Sequence, residues 1–259
     1  MSADPREIAG AELLVLRGIS KCYAVGTRRR ARLCIVVRDL TLCMDRGECL
    51  AIDGAGLGPL TVLRCVAGLV CPDGGAVEWR ADDGTRVAAP PVALVAGAWR
   101  PASGALTVRD VLEGAVPAGR WQGEIDRRIA AVLRGCALEA LAGRRAVGLG
   151  TVERWRVGVA CALVGGAEWL CIELPPGWGR PPLTPAPGGA AAVRHALLAA
   201  RRAGRTILAA GPAAATLLVA TRTLVWVRGG LRLASGGARP EPDDAPPPRR
   251  VAEGDTARH

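Results

Sequence analysis

The chain has 259 residues, half of them hydrophobic and 22% charged, with a net charge of +10. That is too apolar for a disordered chain and long enough to bury a large core in one large or two small domains. Lys21 is the single lysine among 34 basic residues, Phe and Asn are absent, Tyr23 and Gln122 stand alone of their kind, and the only histidines are His195 and His259, so chemistry that needs Lys, Gln or His in mid-chain has almost no candidates.

Residues 12–20 and 33–43 are rich in Val, Ile and Leu and are predicted strands. Between them lie Gly26-Thr27 and the basic run Arg28, Arg29, Arg30 and Arg32, an expected exposed loop. Residues 49–53 (CLAID) form a short apolar strand, 54–58 a Gly-rich turn and Leu60 to Val70 a helix. A turn at 71–75 (CPDGG) leads to a strand at 76–80. Helical spacing runs over 105–119 and 123–142; in the second stretch Ile125, Ile129, Val132, Leu133 and Leu138 fall mostly on one face. A helix at 153–165 precedes a buried strand at 168–174, and 175–189 is dense in Pro and Gly. The remaining elements are a helix at 190–203 and strands at 205–210, 223–228 and 231–234. From Gly236 the tail lacks periodicity and is expected to be disordered. Strands alternating with helices indicate an α/β fold.

A basic balance points to nucleic acid or an anionic surface. Arg, Ala, Gly and Pro share GC-rich codons, and that bias accounts for the arginine excess more simply. The aromatic content of 3% also argues against a stacking platform for single strands. The nine cysteines are odd in number, contain no Cys-x-x-Cys and mostly sit in apolar runs. They read as small buried hydrophobes in a reducing compartment, and no metal site is expected. The first ten residues show no signal-peptide pattern. The longest uncharged run near the C-terminus, from Arg205 to Arg222, is broken by Gly211-Pro212, so no membrane span is expected.

The phrase GECLAIDGAGLGPLTVLRCVAGLVCPDGGAVEW at 47–79 resembles the nucleotide-binding domain of ATP-binding cassette (ABC) transporters through its P-loop and following turn. SGALTVRDVLEGA at 103–115 looks like the segment after the family's Q-loop, and RVGVACALVGGAEWLCIELPPG at 156–177 like the helix after the signature motif and the Walker B strand. RRAGRTILAAG at 201–211 and TLVWVRGGLR at 223–232 resemble the last helix and strand and the closing hairpin. These phrases occur in the family's order and span about residues 12–235. The resemblance implies a P-loop NTPase-like α/β cassette with a mixed central sheet, an antiparallel β subdomain and an α-helical subdomain. It places the nucleotide-binding domain at 1–235, the helical subdomain at about 97–155 and a Pro-rich charged tail at 236–259.

The resemblance departs from the family where the chemistry is expected. A working P-loop reads G-x-x-x-x-G-K-[ST], its backbone N–H groups and Lys holding the phosphates and its hydroxyl binding Mg²⁺. Here Asp53 takes the first glycine position, Pro59 the lysine and Leu60 the Mg²⁺ hydroxyl, while Gly54, Gly56, Gly58 and Thr61 remain. Pro59 suits a first helical turn, which keeps the loop's shape without its contacts. Glu173 stands at the Walker B Asp, but Leu174 replaces the catalytic Glu. The signature aligns with Leu149-Gly150-Thr151-Val152-Glu153, keeping only the leucine. No Gln falls at the Q-loop near Gly97-Ala98, no Asp in the D-loop stretch 177–184, and no His at Gly211-Pro212. His195 reads as an ordinary helix residue. Tyr23 sits where the family stacks adenine.

The residues that the resemblance leaves for cofactor binding are therefore Tyr23, Gly54, Gly56, Gly58, Thr61 and Glu173, with no catalytic and no metal-ligating residue. ATP and Mg²⁺ are expected to bind weakly or not at all. The expected role is a non-hydrolysing cassette subunit, cytoplasmic and peripheral at the inner face of the membrane. Its partners would be a membrane permease, a second cassette or both, without specific nucleic acid. Two alternatives are a weak ATPase and a basic module for nucleic acid or anionic surfaces, the latter using Arg28 to Arg32.

Overall fold

The computed structural model describes residues 12–26, 31–96, 104–174, 189–212, 220–227 and 230–233. Strands β1 (Leu13–Val25), β2 (Arg32–Asp45), β4 (Gly74–Arg80) and β5 (Arg86–Val87) form an antiparallel sheet in the order β2-β1-β4-β5. A second sheet has the order β10-β9-β3-β8-β7-β6. It joins β3 (Cys49–Asp53), β6 (Val92–Val95), β7 (Trp169–Glu173), β8 (Thr206–Gly211) and β9 (Arg222–Val227) in parallel, and β10 (Gly230–Leu233) antiparallel to β9.

The central strands explain the two-sided burial. Parallel strands covered on both faces read as continuous apolar runs, and successive side chains alternate faces. Leu50 and Ile52 of β3, Trp169 and Cys171 of β7, and Leu208 and Ala210 of β8 enter one core with α1 (Leu57–Val66) and the antiparallel sheet. Cys49, Ala51, Leu170, Ile172, Ile207 and Ala209 enter the other. That second core is closed by α2 (Val108–Gly114), α3 (Gln122–Gly135), α4 (Thr151–Val164) and α5 (Gly189–Arg202).

Several boundaries differ from the sequence reading. The two strands expected at 12–20 and 33–43 extend to Val25 and Asp45 and pair down to Val25↔Arg32. Helix α1 begins at Leu57, and α2 is confined to Val108–Gly114. There Thr107 caps the start: its hydroxyl accepts from the Asp110 amide at 3.2 Å while Asp110 Oδ2 accepts from the Thr107 amide at 2.8 Å. Helix α3 stops at Gly135 because Ala137 is left-handed, with φ of 52°, and the Leu138 amide donates back to the Leu133 carbonyl at 2.8 Å. Leu138 is fully buried through that reversal and not through helical spacing. Strands β5 and β6 were not expected. Among the described residues no helix is long and apolar enough to cross a membrane. The tail at 236–259, the Q-loop segment 97–98 and the D-loop stretch 177–184 lie outside the described residues.

The cysteine expectation holds only in part. Cys49, Cys65, Cys136 and Cys171 are buried, whereas Cys34 and Cys71 are exposed. Both exposed thiols lie outside the sheet–helix cores, Cys34 on the β2 end of the outer sheet and Cys71 in the turn after α1.

Candidate functional site

In open α/β sheets ligands sit beyond the carboxyl ends of the strands. Here those ends carry Asp53 on β3, Gly211 on β8 and Glu173 on β7, with Asp53 paired to Gly211 and Glu173 to Ala210. One strand separates the two acidic residues, which sets their backbones about 10 Å apart.

The chain leaves β3 through Gly54-Ala55-Gly56 and enters α1. Gly56 is the N-cap with φ of 108°, a conformation that glycine adopts without strain, and no side chain caps the helix. Leu57, Gly58 and Pro59 form the first turn, and the Pro59 ring is buried. Proline supplies no N–H there, so the first turn has one donor fewer for an anion. The register Asp53↔Val225 brings Trp226 beside the loop. A β-carbon added at Gly58 would come 2.2 Å from Trp226 Cζ2, and one at Gly54 would come 2.6 Å from Trp226 Cβ. The missing β-carbons at Gly54 and Gly58 thus make room for the Trp226 side chain.

Tyr23 and Thr61 are brought together. Thr61 is only 2% exposed, and its hydroxyl donates to the Leu57 carbonyl at 2.7 Å. The Tyr23 hydroxyl lies 3.5 Å from Thr61 Oγ1, and the Tyr23 ring packs on the core beneath α1. Lys21 Nζ lies 5.8 Å from the Tyr23 ring centroid. The ammonium is held 2.6 Å from Asp73 Oδ1, and the Cys22 amide donates to Asp73 Oδ2 at 2.7 Å. Those bonds draw the Asp73 carboxyl below its ordinary range and push the Lys21 ammonium up. The one lysine therefore braces the turn after α1 against β1.

Glu173 ends β7, half-buried, and its backbone carbonyl accepts the Trp155 indole N–H at 2.7 Å. Leu174 follows it and is 3% exposed, packed where a β-carbon on Gly211 would come 3.0 Å from Leu174 Cβ. The segment aligned with the signature starts α4: Gly150 is its N-cap, and Glu153 Oε2 accepts the Gly150 amide at 2.7 Å. Leu149 is buried at 3%. His195 lies exposed on α5, among helices and away from these strand ends. Among the described residues no group of three or more His, Cys, Asp or Glu is placed to hold a metal.

The structure thus gathers Tyr23, Thr61 and the Gly54–Gly58 loop around α1, and places Glu173 two strands from Asp53. Sequence reading missed Trp226 and Trp155. The first was signalled only by Leu224 and Trp226 sharing one face of a short strand, and its neighbours became visible with the β3–β9 pairing.

No family model matches the chain. It is 35% identical over 162 residues to a phosphonates import ATP-binding protein of Natronomonas pharaonis, covering 58% of this chain and 64% of that one. It is 28% identical over 169 residues to a methionine import ATP-binding protein of Caulobacter vibrioides, covering 62% of this chain and 49% of that one. The chain therefore spans about half to just under two thirds of these relatives' lengths. Among solved structures, the cbiO1 protein of Clostridium perfringens, part of the ABC transporter complex cbiONQ, superposes with a TM-score of 0.65. That pair is 20% identical and covers 86% of this chain and 88% of the other. A dimeric bacterial ABC transporter cassette superposes with a TM-score of 0.65 at 17% identity, covering 84% and 96%.

Proposed function

We propose that this chain, which has the ABC cassette fold and is similar in sequence to ATP-binding subunits of importers, serves a transporter as a non-hydrolysing cassette. The observation that carries this reading is Pro59, buried in the first turn of α1 at the position of the phosphate-binding lysine. The chain's only lysine cannot substitute, because Lys21 is committed to Asp73 at 2.6 Å. The neighbouring residues agree. Leu60 has no hydroxyl for Mg²⁺, the Thr61 hydroxyl is spent on the Leu57 carbonyl, and Asp53 places a carboxylate beside the loop. At the general-base position Leu174 is buried and has no proton acceptor. The residues present do not fit a Mg²⁺–nucleotide.

What remains is a scaffold: two sheets, a signature-like helix joined to the Walker B-like strand through Trp155 and Glu173, and the helices α2 and α3. In this reading the segment at 97–155 is the helical subdomain, and the chain docks on a membrane permease or pairs with an intact cassette at the inner face of the membrane. Isothermal titration of the full chain with Mg-ATP tests the dead-site reading. The expected result is no heat of binding at micromolar concentrations, and a saturable micromolar site overturns it.

A further inference from the structure

A concavity lies on the helical side of the molecule. It is a cleft of about 460 Å³ between α3, the end of α4 and α5, within the size range of small-molecule sites. Its floor is apolar, with Val132, Leu163 and Val164, and its rim carries Arg128, His195, Arg202 and Arg205. No carboxylate lines it. Arg128 is balanced by Glu124 at 3.0 Å. Arg202 and Arg205 have no carboxylate partner among the described residues, and Arg205 Nε is buried without an acceptor. That Nε is closed to the cleft, so an anion there would meet the Arg202 and Arg205 guanidiniums through their other N–H groups, in charge-assisted bonds.

We propose that this cleft binds a phosphate monoester carried on a short apolar body. The charge selects the headgroup: two guanidiniums without a carboxylate partner among the described residues suit a group that bears about −1.5 to −2 at neutral pH. Guanidinium forks match phosphate oxygens in geometry. The apolar floor selects the body, since each buried methylene adds affinity. Arg205 precedes β8, so the cleft lies at the amino end of the sheet. The P-loop lies at the opposite end, about 20 Å away for six residues of strand. The site is therefore independent of the nucleotide question, and a failure here leaves the dead-cassette reading standing.

The test is titration of the full chain with octyl phosphate below its micelle concentration, beside inorganic phosphate and octyltrimethylammonium. The expected result is one site, at least tenfold tighter for octyl phosphate than for inorganic phosphate, and none for the cation. The Arg202→Gln/Arg205→Gln variant should bind octyl phosphate at least tenfold more weakly while keeping its circular dichroism. If that variant fails to fold, Arg202→Gln alone, on an exposed helix face, should weaken binding several-fold. Vesicles of phosphatidic acid in phosphatidylcholine separate the sources. Vesicle binding lost in the arginine variant assigns a lipid headgroup, and octyl phosphate binding without vesicle binding assigns a soluble ester. Equal affinity for octyl phosphate and inorganic phosphate, or unchanged affinity in a folded arginine variant, overturns the proposal.

Discussion

The indole of Trp226 lies so close over Gly58 that a β-carbon there would approach Cζ2 to 2.2 Å and Cε2 to 2.4 Å. The half-buried indole packs against the core beneath α1, so the ring or the loop must shift to admit a methyl group, and overpacking costs about 1–3 kcal/mol. Gly58→Ala should therefore destabilise the chain by about that amount in urea unfolding. In a Trp226→Ala background the same change should be nearly neutral, because the opposing ring is gone. Equal costs in both backgrounds would show that the indole does not set the glycine.

Leu174→Glu, which places a carboxylate at the proposed general-base position, should not confer ATP hydrolysis. The position is buried against Gly211, and an unpaired carboxylate there costs about 2 kcal/mol or more, or ionises only at raised pH. Thermal unfolding should show a lowered midpoint, and a phosphate-release assay should stay at background. Activity at an unchanged midpoint would contradict the packing described above.

Acidification should weaken the brace between Lys21 and Asp73. The Asp73 carboxyl titrates below its ordinary value in the folded chain, so its contribution is present above the unfolded value of about 4 and fades as pH falls through the folded one. Between pH 5 and 3 the thermal midpoint of the parent should fall further than that of Asp73→Asn. Parallel curves for the two proteins would remove Asp73 from the acid response.

Thiol reagents should divide the cysteines. Cys34 and Cys71 are exposed and should react first with a disulfide reagent at pH 8. Burial pushes Cys136 and Cys171 up to about 12 and Cys49 to about 11, leaving little thiolate, so these should react only on unfolding. Cys34→Ser/Cys71→Ser should remove the fast phase.

Much of the fold was legible because alternation along β3, β7 and β8 decides which side chain enters which core. Helix ends were less so. The left-handed Ala137 that ends α3 carries no glycine to announce it, and α2 starts late because the Thr107 cap outweighs the apolar residues before it. Strand β6 is only four residues following Pro90-Pro91, too short for its own alternation. At the site, Pro59 and Leu174, which stand where the resemblance expects a lysine and a general base, could be read position by position. The neighbours of the loop could not, because Trp226 is 168 residues from Gly58 and reaches it only through the β3–β9 pairing.

The ion pair with Asp73 also governs access to Lys21. It is the only side-chain amine in 259 residues, and it is already hydrogen-bonded to Asp73. Acylating enzymes, amine-directed cross-linkers and protein-tagging systems that use the ε-amino group have a single address on this chain. Occupying it means breaking the contact that ties the turn after α1 to the outer sheet.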